Sequence, residues 1–326
     1  MATGAEARDG TGRKRPLRLS TGLTLTVAFV IMSVIFIILT PDFASLANIK
    51  NILRTVSVVG VVAIGETLVL LAGGVDISVG SVAAMSGVIA SLLWGTKSVN
   101  IWVCALAALL VGGLVGLING TVITRLKINP LITTLGTYSV VRGLSFALTN
   151  SSMNQLVQPD FQFIGRGEVA GIPFSLLLML ALYAIFIFAL AQVRAGRNLY
   201  AVGGNPVAGR LAGLPVGAYL LTVYVVCGVF AALGGLILAS QLAAGTPQAA
   251  AGLEFKVIAA VILGGTSLSG GKGTMFGTLV GVFILRTLDS GLILTGVSSY
   301  WQEVARGAVL LLAVGFDQLR IRLERR

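Results

Sequence analysis

The chain has 326 residues, of which 56% are hydrophobic and 11% are charged, and it contains no histidine. Soluble domains carry about 25% charged residues, so this composition predicts an integral membrane protein. The absence of histidine excludes imidazole-dependent nucleophilic and general-base sites and nearly all zinc or haem sites. Both cysteines, Cys104 and Cys227, lie in apolar runs, which predicts neither a disulfide framework nor a metal knuckle.

Ten apolar runs have the size of membrane spans, which need about 20 helical residues. They occupy residues 21–39, 56–72, 79–95, 101–120, 131–148, 174–193, 216–239, 255–263, 274–288 and 304–316. The first run is too long for a signal peptide, and no small-residue cleavage site follows it before Pro41. The sequence predicts an all-α, polytopic transmembrane bundle of about ten helices over residues 21–319, between basic tails at 1–20 and 320–326.

The basic residues are distributed unevenly between the two ends of such a bundle. Fifteen of the 23 lysines and arginines fall on the side of both termini, and five fall on the other side. Short cytoplasmic segments are enriched in basic residues, so both termini and the segment 194–215 are predicted to be cytoplasmic. This bias accounts for the net charge of +11 without a nucleic-acid partner and predicts contact with membrane lipid.

Small residues recur at every fourth position in three of the spans. The rows are Gly112, Gly116 and Gly120, then Ala231, Gly235 and Ala239, then Gly273, Gly277 and Gly281. Such rows predict close packing between membrane helices.

The stretch around Gly271, Lys272 and Gly273 superficially resembles a phosphate-binding loop. That motif needs glycine where Thr266 stands and serine or threonine where Gly273 stands. The stretch is therefore predicted to be a cytoplasmic turn, and the chain is not expected to hydrolyse ATP by itself.

Two glycine-rich breaks interrupt the apolar pattern at residues 73–80 and 264–271. Aligned from their first glycines, they share three glycines and one serine, which leaves an internal repeat and a chance match equally open. Exposed backbone is tolerated in a membrane only where it packs in protein, faces water or lines a cavity. The first break is therefore either a turn that caps the next helix or an unwound segment beside a translocation path. Its candidate residues are Gly73, Gly74, Asp76 and Ser78.

Two charged residues, Glu66 and Arg142, lie deep within predicted spans. A charge at mid-bilayer costs about 3 kcal/mol on insertion scales, so each should face the bundle interior or a watery cavity. Both are candidates for the translocation path or its gate, and a structural polar contact is the alternative.

The basic segment 194–215 contains the signals of a short helix. Asn205 is a suitable N-cap, Pro206 suits the first helical position, and Gly213 favours termination. A helix this short needs a packing partner. It is either a loop helix on its own bundle or a docking helix, in which Ala208 would leave room for a groove and Arg210 would reach a carboxylate.

Seven stretches of the chain, in this order, resemble the ribose/xylose-type permease subunits of bacterial ATP-binding-cassette (ABC) sugar importers. They are residues 65–80, 119–120, 128–137, 142–143, 196–213, 263–274 and 296–302. By position, the resemblance implies that Asn205, Pro206, Ala208, Arg210 and Gly213 belong to a coupling helix. It also places residues 73–80 on the family's core helix break.

The resemblance implies an inner-membrane permease that imports a monosaccharide, such as a ribose- or xylose-like pentose. The implied partners are a second copy or a paralogous permease, a cytoplasmic ABC ATPase, and a periplasmic or lipid-anchored sugar-binding protein. No catalytic residue, metal or cofactor is implied for the chain itself. Asp289-Ser290-Gly291 departs from the Asn-Asn-Gly of many members, and Arg286 replaces a small or apolar residue. These departures leave the sugar undefined.

Two other functional classes stay open on the residues alone. A stand-alone secondary transporter would need a coupling-ion site. A membrane-embedded enzyme would need a constellation of carboxylates for metal or acid–base chemistry, and Glu66 and Asp76 alone hardly supply one.

Overall fold

The computed structural model describes residues 21–97 and 99–324 and shows an all-helical bundle. The helices are α1 (Thr21–Leu39), α2 (Leu46–Leu71), α3 (Val79–Lys97), α4 (Ile101–Arg125), α5 (Pro130–Thr149), α6 (Pro159–Arg166), α7 (Phe174–Gln192), α8 (Arg194–Gly204), α9 (Pro206–Leu211), α10 (Val216–Leu242), α11 (Leu253–Leu263), α12 (Met275–Leu294) and α13 (Ser299–Glu324). A 3-10 turn covers Pro41–Ala44. Two short antiparallel ribbons pair Asn154–Gln155 with Ala244–Gly245 and Glu168–Val169 with Ile172–Pro173.

Each of the ten predicted spans is a helix, which confirms the all-α membrane bundle. Six of these helices (α2, α4, α5, α7, α10 and α12) are long and apolar enough to cross a membrane, and α1 and α3 contain shorter apolar stretches. Helix α2 begins ten residues before its predicted span. Residues 46–55 are helical but mix apolar and polar side chains, so they do not form an apolar run. The predicted tail 1–20 and residues 325–326 of the other tail lie outside the described residues, whereas α13 continues through residues 320–324.

Polar caps directly before apolar runs determine where several helices begin. Asn100 and Asn129 each accept a hydrogen bond from the N–H two residues later, at 2.9 Å in both cases. Pro130 follows Asn129 at the first helical position, where its missing N–H costs nothing. Thr274 accepts from the N–H of Gly277 at 3.0 Å. These side chains satisfy N–H groups that the first helical turn leaves unpaired.

Helix α10 is central and runs antiparallel to α4. Gly112 of α4 packs against Gly228 of α10, and Gly116 packs against the backbone of Tyr224. A β-carbon at either α4 glycine would collide with α10. The predicted close packing of this row is confirmed, since only glycine allows two helix backbones to approach so closely.

The two ends of the bundle differ in the segments that they carry. The end of α4 lies beside the start of α10, next to α8 and α9; we call this the basic end. The opposite end carries α6 and the ribbon of residues 168–173, and we call it the hairpin end. Helix α11 has 11 residues, about 16 Å at 1.5 Å per residue. It therefore crosses only part of the bundle and ends in the second glycine-rich break.

Candidate functional site

The first break follows α2 and turns the chain through a glycine in the left-handed conformation. Gly73 has φ +83°. The N–H groups of Gly73 and Gly74 donate to the carbonyl groups of Leu70 and Val69, both at 2.9 Å. This pair of bonds is a Schellman motif, which satisfies the last carbonyl groups of a helix. The break is therefore a compact turn whose first backbone groups are paired.

Buried polar side chains tie this turn to its neighbours. The N–H of Asp76 donates to Oε1 of Glu66 at 3.1 Å, while the N–H and hydroxyl of Ser78 donate to Oδ1 of Asp76 at 2.9 and 2.5 Å. Asn119 of α4 donates from Nδ2 to the Ser78 hydroxyl at 3.0 Å. All four side chains are buried. Within the described ranges, neither carboxyl group forms an ion pair, so hydrogen bonds hold the start of α3 against α2 and α4.

Helices α5 and α10 cover the turn from the other side. The Tyr224 hydroxyl donates to the carbonyl oxygen of Val75 at 3.3 Å, and the Thr134 hydroxyl donates to the same oxygen at 3.4 Å. A β-carbon on Gly74 would collide with the Tyr224 hydroxyl. The structure thus brings five of the predicted residues together. Glu66, Gly74, Asp76 and Ser78 form one buried cluster, and Gly73 lies exposed at its edge.

The second break, after α11, uses the same turn in a different register. Gly265 has φ +89°, and the N–H groups of Gly265 and Thr266 donate to carbonyl groups in the last turn of α11 at 2.8 and 3.2 Å. Gly265 is therefore the geometric equivalent of Gly73. The sequence alignment paired Gly73 with Gly264, which is wrong by one residue, because Gly264 keeps the right-handed conformation at φ −66°. In the corrected register Asp76 stands opposite a leucine, so the two breaks share the turn but not the polar cluster.

The end of α8 packs between the two breaks. The N–H of Gly271 donates to the carbonyl oxygen of Leu71 at 2.9 Å, which joins the second break to the end of α2. A β-carbon on Gly203 of α8 would collide with that Leu71 oxygen and would lie 2.9 Å from the Gly271 nitrogen. We call the contact of Leu71, Gly203 and Gly271 the glycine junction. It joins three segments through backbone atoms.

A tyrosine of α8 adds a side-chain contact beside the glycine junction. The Tyr200 hydroxyl donates to the carbonyl oxygen of Gly273 at 3.0 Å. Burial raises the pKa of Tyr200, which keeps the hydroxyl protonated as a donor. Helix α8 therefore contacts the second break through both backbone and side chain.

Helix α9 begins and ends within one residue of the prediction. Asn205 accepts from the N–H groups of Val207 and Ala208 at 3.1 and 3.0 Å, and Pro206 stands in the first turn. Gly213, at φ +80°, follows the helix in the left-handed conformation.

Most of α9 is exposed. The side chains of Leu211 and Val207 are 85% and 59% exposed. Ala208 and Arg210 are also exposed, whereas Gly209 is buried against its own chain. The helix presents two apolar side chains and one cation to the surroundings of the basic end.

Arg142 lies apart from the buried cluster and holds the loop between α10 and α11. Its Nη1 donates to the carbonyl oxygens of Pro247 and Ala249 at 2.6 and 2.8 Å, and its guanidinium lies 5.4 Å from the ring centroid of Tyr138. Its Nε and Nη2 atoms are buried and have no hydrogen-bond partner among the described residues. These contacts show that Arg142 positions this loop, and its place in the translocation path or gate stays a prediction.

Several residues of these clusters are absent from the sequence-derived candidates. Asn119 is a lone amide in an apolar run, which marks a buried polar contact less clearly than the charged side chain of Glu66 does. Nothing in the sequence singles out Gly203, which is one of 42 glycines. Glu254 is buried, and its Oε2 has no hydrogen-bond partner in the described part of the chain. Its position directly before the short eighth span, outside the apolar run, does not mark it as a buried charge.

Comparison with known proteins identifies the family. Residues 48–314 match the family model described as "Branched-chain amino acid transport system / permease component". The L-arabinose ABC transporter permease protein AraH of Azospirillum brasilense is 40% identical over 91% of this chain and 87% of its own length. The ribose import permease protein RbsC is 39% identical in Escherichia coli K12, over 89% of this chain and 92% of the relative. In Bacillus subtilis it is 40% identical, over 88% and 90%.

These matches cover the bundle and both breaks, and the relatives are named as permeases rather than as enzymes. Together with the membrane-spanning helices, they show a multi-pass protein of the bacterial inner membrane whose role is transport. The chain therefore belongs to the family of ABC transport-system permease components that includes these ribose and L-arabinose permeases.

Proposed function

We propose that the chain imports a monosaccharide, a ribose- or xylose-like pentose or a related sugar, with energy from a separate cytoplasmic ATPase. The names of the relatives support the sugar class, because two different pentoses appear among proteins that match about nine-tenths of this chain. The departures at Arg286 and Asp289 leave the particular sugar open within that class.

The observation that carries the proposal is the continuity between α9, α8 and the two breaks. Helix α9 is exposed and offers apolar side chains and Arg210 to a partner, while the adjoining α8 ends in the glycine junction. A displacement of α9 by an ATPase would therefore reach the ends of α2 and α11 through backbone contacts. These contacts leave no space to absorb the movement, because close-packed interfaces transmit small shifts rather than deform.

The charge bias supports an orientation with the basic end and both termini in the cytoplasm. In that orientation α9 faces the ATPase through Asn205, Pro206, Ala208, Arg210 and Gly213. The hairpin end then faces the periplasmic or lipid-anchored sugar-binding protein. A second copy, or a paralogous permease, completes the transporter in the membrane lipid.

In this proposal the buried cluster and Arg142 border the translocation path or its gate. Glu66, Gly73, Gly74, Asp76 and Ser78 join α2 to α3 next to the glycine junction, where a movement of α8 would arrive first. Arg142 holds the loop that leads into α11, the other helix that ends at this junction.

The test is to replace Ala208 by glutamate in the complete transporter. A large acidic side chain on the exposed face of α9 adds volume and an unpaired charge at the ATPase contact, which costs several kcal/mol. We expect normal membrane abundance with loss of both sugar uptake and ATPase retention on purified membranes.

The matched control is Ala170→Glu, which places the same change on an exposed alanine of the hairpin end. It should leave ATPase retention unchanged. Full uptake and a stably bound ATPase in Ala208→Glu would show that the ATPase docks elsewhere.

A further inference from the structure

A cavity of about 330 Å³ lies at the hairpin end between α2, α11, α12 and α13. Its wall combines four apolar side chains with five charged residues, which are Lys256, Arg286, Asp289, Glu303 and Arg306. A second cavity of about 230 Å³ shares Lys256 and Arg286 and is also lined by Thr55 and Gln241. Small-molecule sites begin at about 300 Å³, so the first cavity alone has the size of such a site.

Both carboxylates of the cavity wall form ion pairs with arginines. Asp289 accepts from Nη1 of Arg286 at 3.0 Å through one oxygen and from Nε of Arg306 at 2.9 Å through the other. Glu303 also pairs with Arg306. The two acids are thus already engaged with the two guanidinium groups.

Lys256 is the cavity cation that forms no ion pair with a described residue. Its side chain is half-buried and lines both cavities, and no carboxylate of the described residues lies within ion-pair distance of its ammonium group. Three cations face two carboxylates around the cavity. The Nε of Arg286 is a further buried donor without a partner among the described residues. A half-buried ammonium group is unfavourable unless an anion or water compensates its charge.

We infer that this cavity binds a monosaccharide that carries a carboxylate group, with Lys256 as its counter-ion. The inference rests on the proposed sugar import and narrows the substrate class to a sugar acid. The apolar wall, which includes Phe255 and Leu285, suits the apolar face of a sugar ring, while the excess positive charge suits the carboxylate. The volume is in the range of a single sugar ring.

The test measures binding of D-galacturonate and D-galactose, which differ in the carboxylate, to the full-length permease in nanodiscs of uncharged lipid. We expect galacturonate to bind the wild-type protein at least about tenfold more tightly than galactose. One ion pair between protein and ligand changes the dissociation constant by about that factor. Lys256→Gln should remove that preference, and Lys256→Arg should restore it. Lys127→Gln, which removes an exposed lysine of the basic end, should bind galacturonate like wild type.

Three outcomes would overturn the inference. One is equal affinity for the two sugars, including no measurable binding of either. The second is a preference that survives Lys256→Gln. The third is displacement of galacturonate by phosphatidylglycerol added to the nanodisc, which would identify a lipid site instead.

Uptake by the complete transporter separates this inference from the proposed function. If neutral pentoses enter and Lys256→Gln does not change which sugars enter, the inference fails and the proposed function stands. If no sugar, neutral or acidic, enters when the ATPase and binding protein are present, the proposed function fails.

Discussion

The two ends of the bundle are held together by different chemistry. At the basic end, Leu71, Gly203 and Gly271 meet through backbone atoms, and the glycines leave no room for a side chain. At the hairpin end, five ion pairs join described residues, including those of Asp289 and Glu168. The basic end is thus sensitive to volume, and the hairpin end is sensitive to charge. A mechanical signal suits the first and the recognition of a polar solute suits the second.

The largest expected effect tests whether charge dominates the hairpin end. Asp289→Ala leaves Arg286 and Arg306 without their shared carboxylate in a buried position, which should destabilise the protein by about 3 kcal/mol. Thermal unfolding in detergent would measure the loss. Glu303→Ala is the matched control, since it also removes a partner of Arg306 but its side chain is 74% exposed. That change should cost about 0.5 kcal/mol or less. Equal effects of the two variants would contradict the distinction between buried and exposed pairs.

The next effect tests whether volume dominates the basic end. Gly203→Ala adds one methyl group against the Leu71 carbonyl oxygen, and the backbone around it cannot move aside. The change should lower the free energy of unfolding by about 2 kcal/mol. It should also abolish sugar uptake. Gly204→Ala is the control, because a β-carbon there meets only one backbone atom, at 3.9 Å. Uptake and melting temperature of both variants would be compared with wild type. If Gly203→Ala had the uptake and melting temperature of wild type, the glycine junction would not be closely packed.

The smallest effect concerns the partly exposed ion pairs that Glu168 forms at the hairpin end. Lys50 and Arg54 each lie 2.7 Å from an oxygen of Glu168. The hydrogen bond from Lys50, with the charges of Lys50 and Arg54, lowers the pKa of Glu168. A lowered folded-state pKa stabilises the protein above the unfolded-state value of about 4.3. That contribution is lost as the pH falls through the folded-state pKa.

Glu168→Gln should therefore melt slightly below wild type at neutral pH. The gap should close in acid, where Glu168 is protonated. It should narrow in high salt, which screens charges that water reaches. A melting-temperature gap that stays constant from neutral to acidic pH would show that the ion pairs are not its cause.

Helix α9 and the helices that cross the membrane were largely predictable. The ten spans follow from runs of apolar residues, because a bilayer demands a fixed helical length. Helix α9 follows from Asn205, Pro206 and Gly213, whose effects on the backbone are local. The family resemblance was equally accessible, since it depends on residues in a fixed order.

Contacts between distant segments were not predictable. Nothing near Gly203 in the chain shows that it meets Leu71 and Gly271, and the equivalence of Gly73 with Gly265 depends on backbone angles that similar glycine pairs conceal. Arg286 and Asp289 stood out as departures, but their ion pairs with Arg306 and the unpaired Lys256 depend on how α11, α12 and α13 pack. Sequence alone determined the ten spans and the start of α9, because those follow from local composition and capping. The tertiary structure decided the glycine junction and the charged cavity, because both are made by residues that only packing brings together.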